Sequence, residues 1–120
     1  MKFVATGYEV LPLGTYPARF LGVEQGYSEQ RGAHFLRWKW EVTTPEGELV
    51  TISDLSSLNF RPKAKARAWV EGMLGRQMAT GEEIEPDGLV NTPCRLVVGV
   101  KNGGDGIERN VVQSILPAKG

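Results

Sequence analysis

Five strand-like runs and one short helical stripe divide the chain. The clearest run is His34 to Val42. Leu36, Trp38, Trp40 and Val42 fall on one face, and Phe35, Arg37, Lys39 and Glu41 on the other. That is the period of two expected of a strand with one buried face. Four further runs read as strands: Gly14 to Glu24, Leu49 to Ser56, Cys94 to Lys101 and Arg109 to Leu116. The first alternates imperfectly; Tyr16, Ala18 and Phe20 are its expected inward face, and Pro17, which donates no ladder hydrogen bond, marks an edge or a bulge. Between the third and fourth runs, Ala66, Trp69, Val70, Met73 and Leu74 recur at helical spacing and predict a helix over Pro62 to Leu74. Ser57 or Asn59 suits its cap, Pro62 its first turn and Gly75 its stop.

The punctuation between these elements is uneven. Thr44-Pro45-Glu46-Gly47 predicts a hairpin turn between the second and third strands. The stretch Gln25 to Ala33 is polar and bracketed by glycines, and reads as a long mobile loop. Met78 to Pro93 is an acidic connection with one short turn near Asp87, and Asn102 to Gly106 is a glycine-rich turn. Residues 1–12 form a lead-in arm and residues 118–120 a short tail. The order strand, strand, strand, helix, strand, strand is that of the OB-fold, a five-stranded Greek-key barrel that binds oligonucleotides or oligosaccharides across strands two and three. The expected fold is therefore all-β with one helix, in a single domain over residues 1–120.

Composition narrows the function only partly. Fourteen Lys and Arg balance fourteen Asp and Glu, which counts against a strongly basic nucleic-acid binder. The charges are nonetheless segregated. Arg61, Lys63, Lys65, Arg67 and Arg76 cluster on and near the helix, Arg31, Arg37 and Lys39 around the second strand, and acids at residues 46–48 and 82–87. Lys63, Lys65 and Arg67 lie off the apolar stripe and are expected to face solvent and only solubilise. No apolar run is long enough to span a bilayer, the N-terminus lacks the apolar stretch of a secretory signal, and the lone Cys94 fits a reducing cytoplasm.

Catalysis finds little support. His34 is the only histidine, Cys94 opens an apolar strand, and Gly103-Gly104-Asp105-Gly106 lacks the lysine and helix of a phosphate loop. No cofactor or metal is expected. The tryptophans share faces with Leu36, Val42, Val70 and Met73 and so belong to the core rather than to a base-stacking platform. The outer face of the second strand is the candidate site. There Phe35 offers a ring for stacking a base, and Arg37 and Lys39 offer cations for phosphates. An ordinary solvated face with one stray aromatic is the alternative. Tyr27, Arg31 and His34 lie in or beside the adjoining loop, and Lys101 marks the other rim between the fourth and fifth strands.

Gly14-Thr15-Tyr16-x-Ala18, the Gly32 to Val42 strand, the Pro62 to Gly75 helix, Arg109-Asn110-Val111-Val112 and Ile115-Leu116-Pro117 together form a pattern over Leu13 to Pro117. In this the chain resembles the small OB-fold single-stranded-DNA-binding proteins of phages and prophages. The resemblance implies sequence-independent binding of single-stranded DNA in replication or recombination, with Phe35, Arg37 and Lys39 at the matching groove positions. It also implies phage or host replication and recombination proteins as partners, no membrane, and leaves a homodimer open. The chain ends in Lys119-Gly120 rather than in the acidic tail by which many such proteins recruit enzymes. The rival is a protein-interaction module of a phage assembly or host-takeover complex, its basic helix face meeting an acidic partner.

The inward assignment of Trp38 has a direct test. Trp38→Ala should destabilise the fold by about 3–5 kcal/mol, measured by urea titration; wild-type stability would refute it.

Overall fold

The computed structural model describes residues 10–102, 106 and 108–118. Expectations for most of the lead-in arm, for the glycine turn at 103–105 and for the end of the tail lie outside the described residues. The elements follow in the order β1 (Gly14–Ser28), β2 (Ala33–Thr43), β3 (Leu49–Ser56), α1 (Lys65–Leu74), a 3-10 turn (Pro86–Leu89), β4 (Pro93–Asn102) and β5 (Glu108–Pro117). All strand pairs are antiparallel, in the sheet order β3-β2-β1-β4-β5.

β1 explains its own imperfect alternation. Tyr16, Ala18 and Phe20 face or adjoin the core as expected. The register against β2 then shifts between Phe20 and Gly22, where Gly22 takes a φ of 142° that favours glycine. One extra residue reverses the parity, so Val23 packs against the core opposite Trp38. Pro17 lies just outside the β2 ladder, which starts at Ala18. The bend also continues β1 past its pairing with β4, which spans Gly14 to Arg19, into an arm paired with β2 alone.

The predicted long loop is instead part of this arm. Ladder pairing runs to Tyr27↔His34 and Ser28↔Ala33, leaving a turn at residues 29–32, with Gly32 at φ 61°. Polar side chains disguised the strands because this arm projects beyond the core and needs no buried face. The β2–β3 turn forms as predicted: Gly47 N–H donates to Thr44 O at 2.9 Å, and Thr44 N–H to Glu48 O at 2.8 Å.

The core is aromatic. Trp38 and Trp40 are 0% exposed and Trp69 is 2% exposed. Trp69 stands edge-on to both strand tryptophans, with centroids 5.9 Å from Trp38 and 5.2 Å from Trp40. Phe20 lies 5.8 and 5.9 Å from the same pair. Trp38 Nε1 donates to Ser56 Oγ at 2.8 Å, whereas Trp40 Nε1 is buried with no hydrogen-bond partner among the described residues. α1 crosses β5 closely: a side chain at Gly72 would collide with the Ile115 carbonyl.

The helix begins later than predicted. Lys63 has a left-handed φ of 71°, so helical geometry starts only at Lys65, with Ala64 as an N-cap that makes no side-chain bond. Asn59 Oδ1 instead accepts from Arg61 N in the approach. Gly75 ends the helix in the left-handed conformation, as predicted. Arg67 does not face solvent. Its side chain is 16% exposed and donates to Phe60 O at 3.3 Å and Met78 O at 2.8 Å, while pairing with Glu71 at 3.4 Å. It ties both flanks of the helix together.

No ladder joins β3 to β5, so the hydrogen-bonded sheet stays open where a closed barrel would seal. Asp54 of β3 spans this gap. Its Oδ2 accepts from Val112 N–H of β5 at 2.9 Å, and its Oδ1 from Leu55 N–H at 2.8 Å and Lys65 Nζ at 3.3 Å. A hydrogen bond to a charged group of this kind is worth about 1.5–3 kcal/mol. Asp54→Ala should therefore destabilise the fold by a comparable amount, and hydrogen exchange at the Val112 amide should speed up more than at amides of the β1–β2 ladder. Unchanged protection at Val112 would show that Asp54 does not hold β5.

Candidate nucleic-acid interface

Phe35, Arg37 and Lys39 share the outer face of β2. Their cross-strand partners on β1 are Gly26, Glu24 and Gly22; on β3, Leu55 pairs with Arg37 and Ser53 with Lys39. Each pairing sets what the outer residue can do. A side chain at Gly26 would collide with the far end of the Phe35 ring, so Phe35 lies across bare backbone. It packs against the arm and stays half-exposed. The Arg37 guanidinium sits 6.0 Å from its centroid. On the β3 side Phe35 has no neighbour in the ladder, which stops at Leu36↔Ser56.

The cations of this face are less available than sequence suggests. Lys39 Nζ lies 2.7 Å from Glu24 Oε1, and Arg19 Nε 2.8 Å from Glu41 Oε1. Arg19 also donates to Asn91 Oδ1. The hydrogen bond and charge of Lys39, helped by Arg37, hold the Glu24 carboxyl below the usual carboxylate range. Arg37 is exposed and forms no ion pair among the described residues.

The remaining predicted residues are dispersed. Tyr27 and His34 face each other across the arm, ring centroids 4.9 Å apart, on the face opposite Phe35. Gln25 Nε2 lies 3.4 Å from His34 Nδ1. Tyr27 thus does not extend the surface of Phe35, Arg37 and Lys39. Arg31 occupies the turn. Lys101 lies three residues past the Gly14↔Val98 pair, at the opposite end of β1 from Gly26. Gly26 is twelve residues along β1 from Gly14, so Lys101 stands beyond the far end of that strand from Phe35.

A groove of about 610 Å³ runs along the edge of β2 where β3 has ended. Arg31, His34, Phe35, Leu55, Ser56 and Lys65 line it, and no lining residue is acidic. Because the groove follows an edge, residues from both strand faces reach it. Sequence reasoning missed Lys65, whose position depends on how α1 folds back onto the sheet. It also missed Gly26, which becomes visible once the turn is placed at residues 29–32.

Cys94 is 2% exposed, and burial pushes its thiol up to about 11. Among the described residues, no group of three or more His, Cys, Asp or Glu is placed to hold a metal ion. No described helix is long and apolar enough to cross a membrane. No model of a known protein family matches the chain, and no curated protein matches it.

The state of Cys94 is testable. With thiolate scarce and access blocked, a disulfide-exchange reagent at neutral pH should leave the native protein unmodified and label it once urea unfolds it. Rapid labelling in buffer would contradict the burial.

Proposed function

We propose that this chain binds single-stranded DNA without reading its sequence, as a non-catalytic OB-fold protein acting in the cytoplasm in phage or bacterial replication or recombination. The strand order β3-β2-β1-β4-β5, with the helix between β3 and β4 in the chain, supports this reading, since pairing β3 with β5 would close it into an OB-type barrel. The observation that carries the binding reading is Phe35, laid across Gly26 and half-exposed, with the Arg37 guanidinium beside it. A ring fixed in advance stacks a base with little ordering cost, and the adjacent cation meets the phosphate. The exposed Leu49, Leu55 and Leu58 favour the protein-interaction alternative.

Titration of labelled oligo-dT across a salt series tests this. Replacing Arg37 and Lys39 with alanine should weaken binding and reduce the slope of log affinity against log salt by roughly 0.7 per lost phosphate contact. Phe35→Ala should cost about 1–3 kcal/mol of affinity with little change in slope. Glu24→Gln should act in the opposite direction, tightening binding, because it removes the anion that competes for Lys39. Absence of binding by the wild type at low salt would sink the DNA reading and promote the protein-interaction one.

A further inference from the structure

We infer that the groove beside the β1–β2 arm is a second phosphate subsite for the same single strand, formed by Arg31 of the turn and Lys65 of α1. This rests on the single-stranded-DNA reading and extends its path. Phe35 belongs to both surfaces: it faces outward beside Arg37 and it lines the groove. A base stacked on that ring has one flanking phosphate near Arg37 and Lys39. The other is directed over the edge of β2 towards Arg31 and Lys65.

Three features of the groove match a phosphodiester. Its volume of about 610 Å³ falls in the roughly 300–1,000 Å³ range of sites that enclose small ligands. Its lining holds Arg31, Lys65 and His34 and no carboxylate, and the acid paired with one of them, Asp54 beside Lys65, is itself engaged by the Val112 and Leu55 amides. Lys65 is positioned in advance. Its Nζ lies 4.9 Å from the Trp69 ring centroid and 3.3 Å from Asp54 Oδ1, yet the side chain remains 50% exposed. An ammonium carries three donors, and Asp54 divides its two oxygens among Val112, Leu55 and Lys65. Lys65 therefore keeps donors for a ligand while its stem is held. Arg31 makes no ion pair among the described residues, and its backbone N–H is 3.3 Å from Ser28 Oγ. The strand would thus cross from sheet to helix, and Lys65 would be a ligand-binding residue rather than a solubilising one.

Oligo-dT affinity across a salt series, for wild type, Arg31→Gln, Lys65→Gln and Lys65→Arg, tests the subsite. Each glutamine variant should weaken binding and reduce the salt slope by roughly 0.7, whereas Lys65→Arg should keep the wild-type slope. Arg31→Gln decides the matter if Lys65→Gln unfolds the corner at Asp54, since the Arg31 side chain lies in the turn and supports no described packing. If Arg31→Gln keeps the wild-type affinity and slope while the Arg37 and Lys39 replacements lose both, the groove is not on the path and the outer-face reading survives. If the wild type binds no oligo-dT, both fall together.

Discussion

Packing of Trp69 against Trp38 and Trp40 governs the arrangement of the molecule. Two tryptophans spaced two apart on β2 present parallel rings, with centroids 6.4 Å apart and 13° between planes. The helix delivers the third ring edge-on to both. Such contacts add about 0.5–1.5 kcal/mol per aromatic pair beyond the burial of area. They also orient. A helix whose tryptophan must reach two rings of one strand can sit on the sheet in few ways, and Gly72 lets it come down onto the Ile115 carbonyl. The position of Lys65, one turn before Trp69, follows from that docking.

Docking of the helix leaves a seam between β3 and β5 that backbone pairing does not close. Asp54 serves there as a side-chain replacement for a ladder, joining β3 to the Val112 amide and to Lys65. Asn110 does something similar two residues earlier on β5. Its amide accepts from Leu11 N–H at 2.8 Å and donates to Leu11 O at 2.9 Å, pairing the entering chain as another strand would. Both devices satisfy buried or half-buried backbone groups at edges that would otherwise be costly to leave unpaired. The arm of β1 and β2 has no such constraint beyond the core, which leaves its edge open as a groove.

The candidate site combines a rigid part and a charged part. Phe35 is fixed by Gly26 and by the ladder. The cations differ in readiness: Lys39 is engaged by Glu24, Arg37 stands beside the ring, and Lys65 is shared with Asp54. An anion brought to this surface has to compete with Glu24 for Lys39 and share Lys65 with Asp54, so the acids weigh as much as the bases.

Wherever burial imposed a period, the elements were legible in the chain. The alternation of β2, the stripe of α1 and the inward set Tyr16, Ala18 and Phe20 identified the core because one face of each element must leave water. Polar continuation of β1 and β2 to residues 28 and 33 was not legible, since a projecting arm carries no such period. The bulge at Gly22 showed only as faulty alternation, and the left-handed Lys63 that delays the helix left no signal. In the site, local pattern placed Phe35, Arg37 and Lys39 on one face. Pairing register and helix docking decided that Glu24 neutralises Lys39, that Tyr27 and Lys101 stand apart, and that Lys65 joins Arg31 and His34 around one groove. Alternation along a strand is a property of consecutive residues. Which charge meets which across strands depends on contacts between distant segments, and those exist only once the chain has folded.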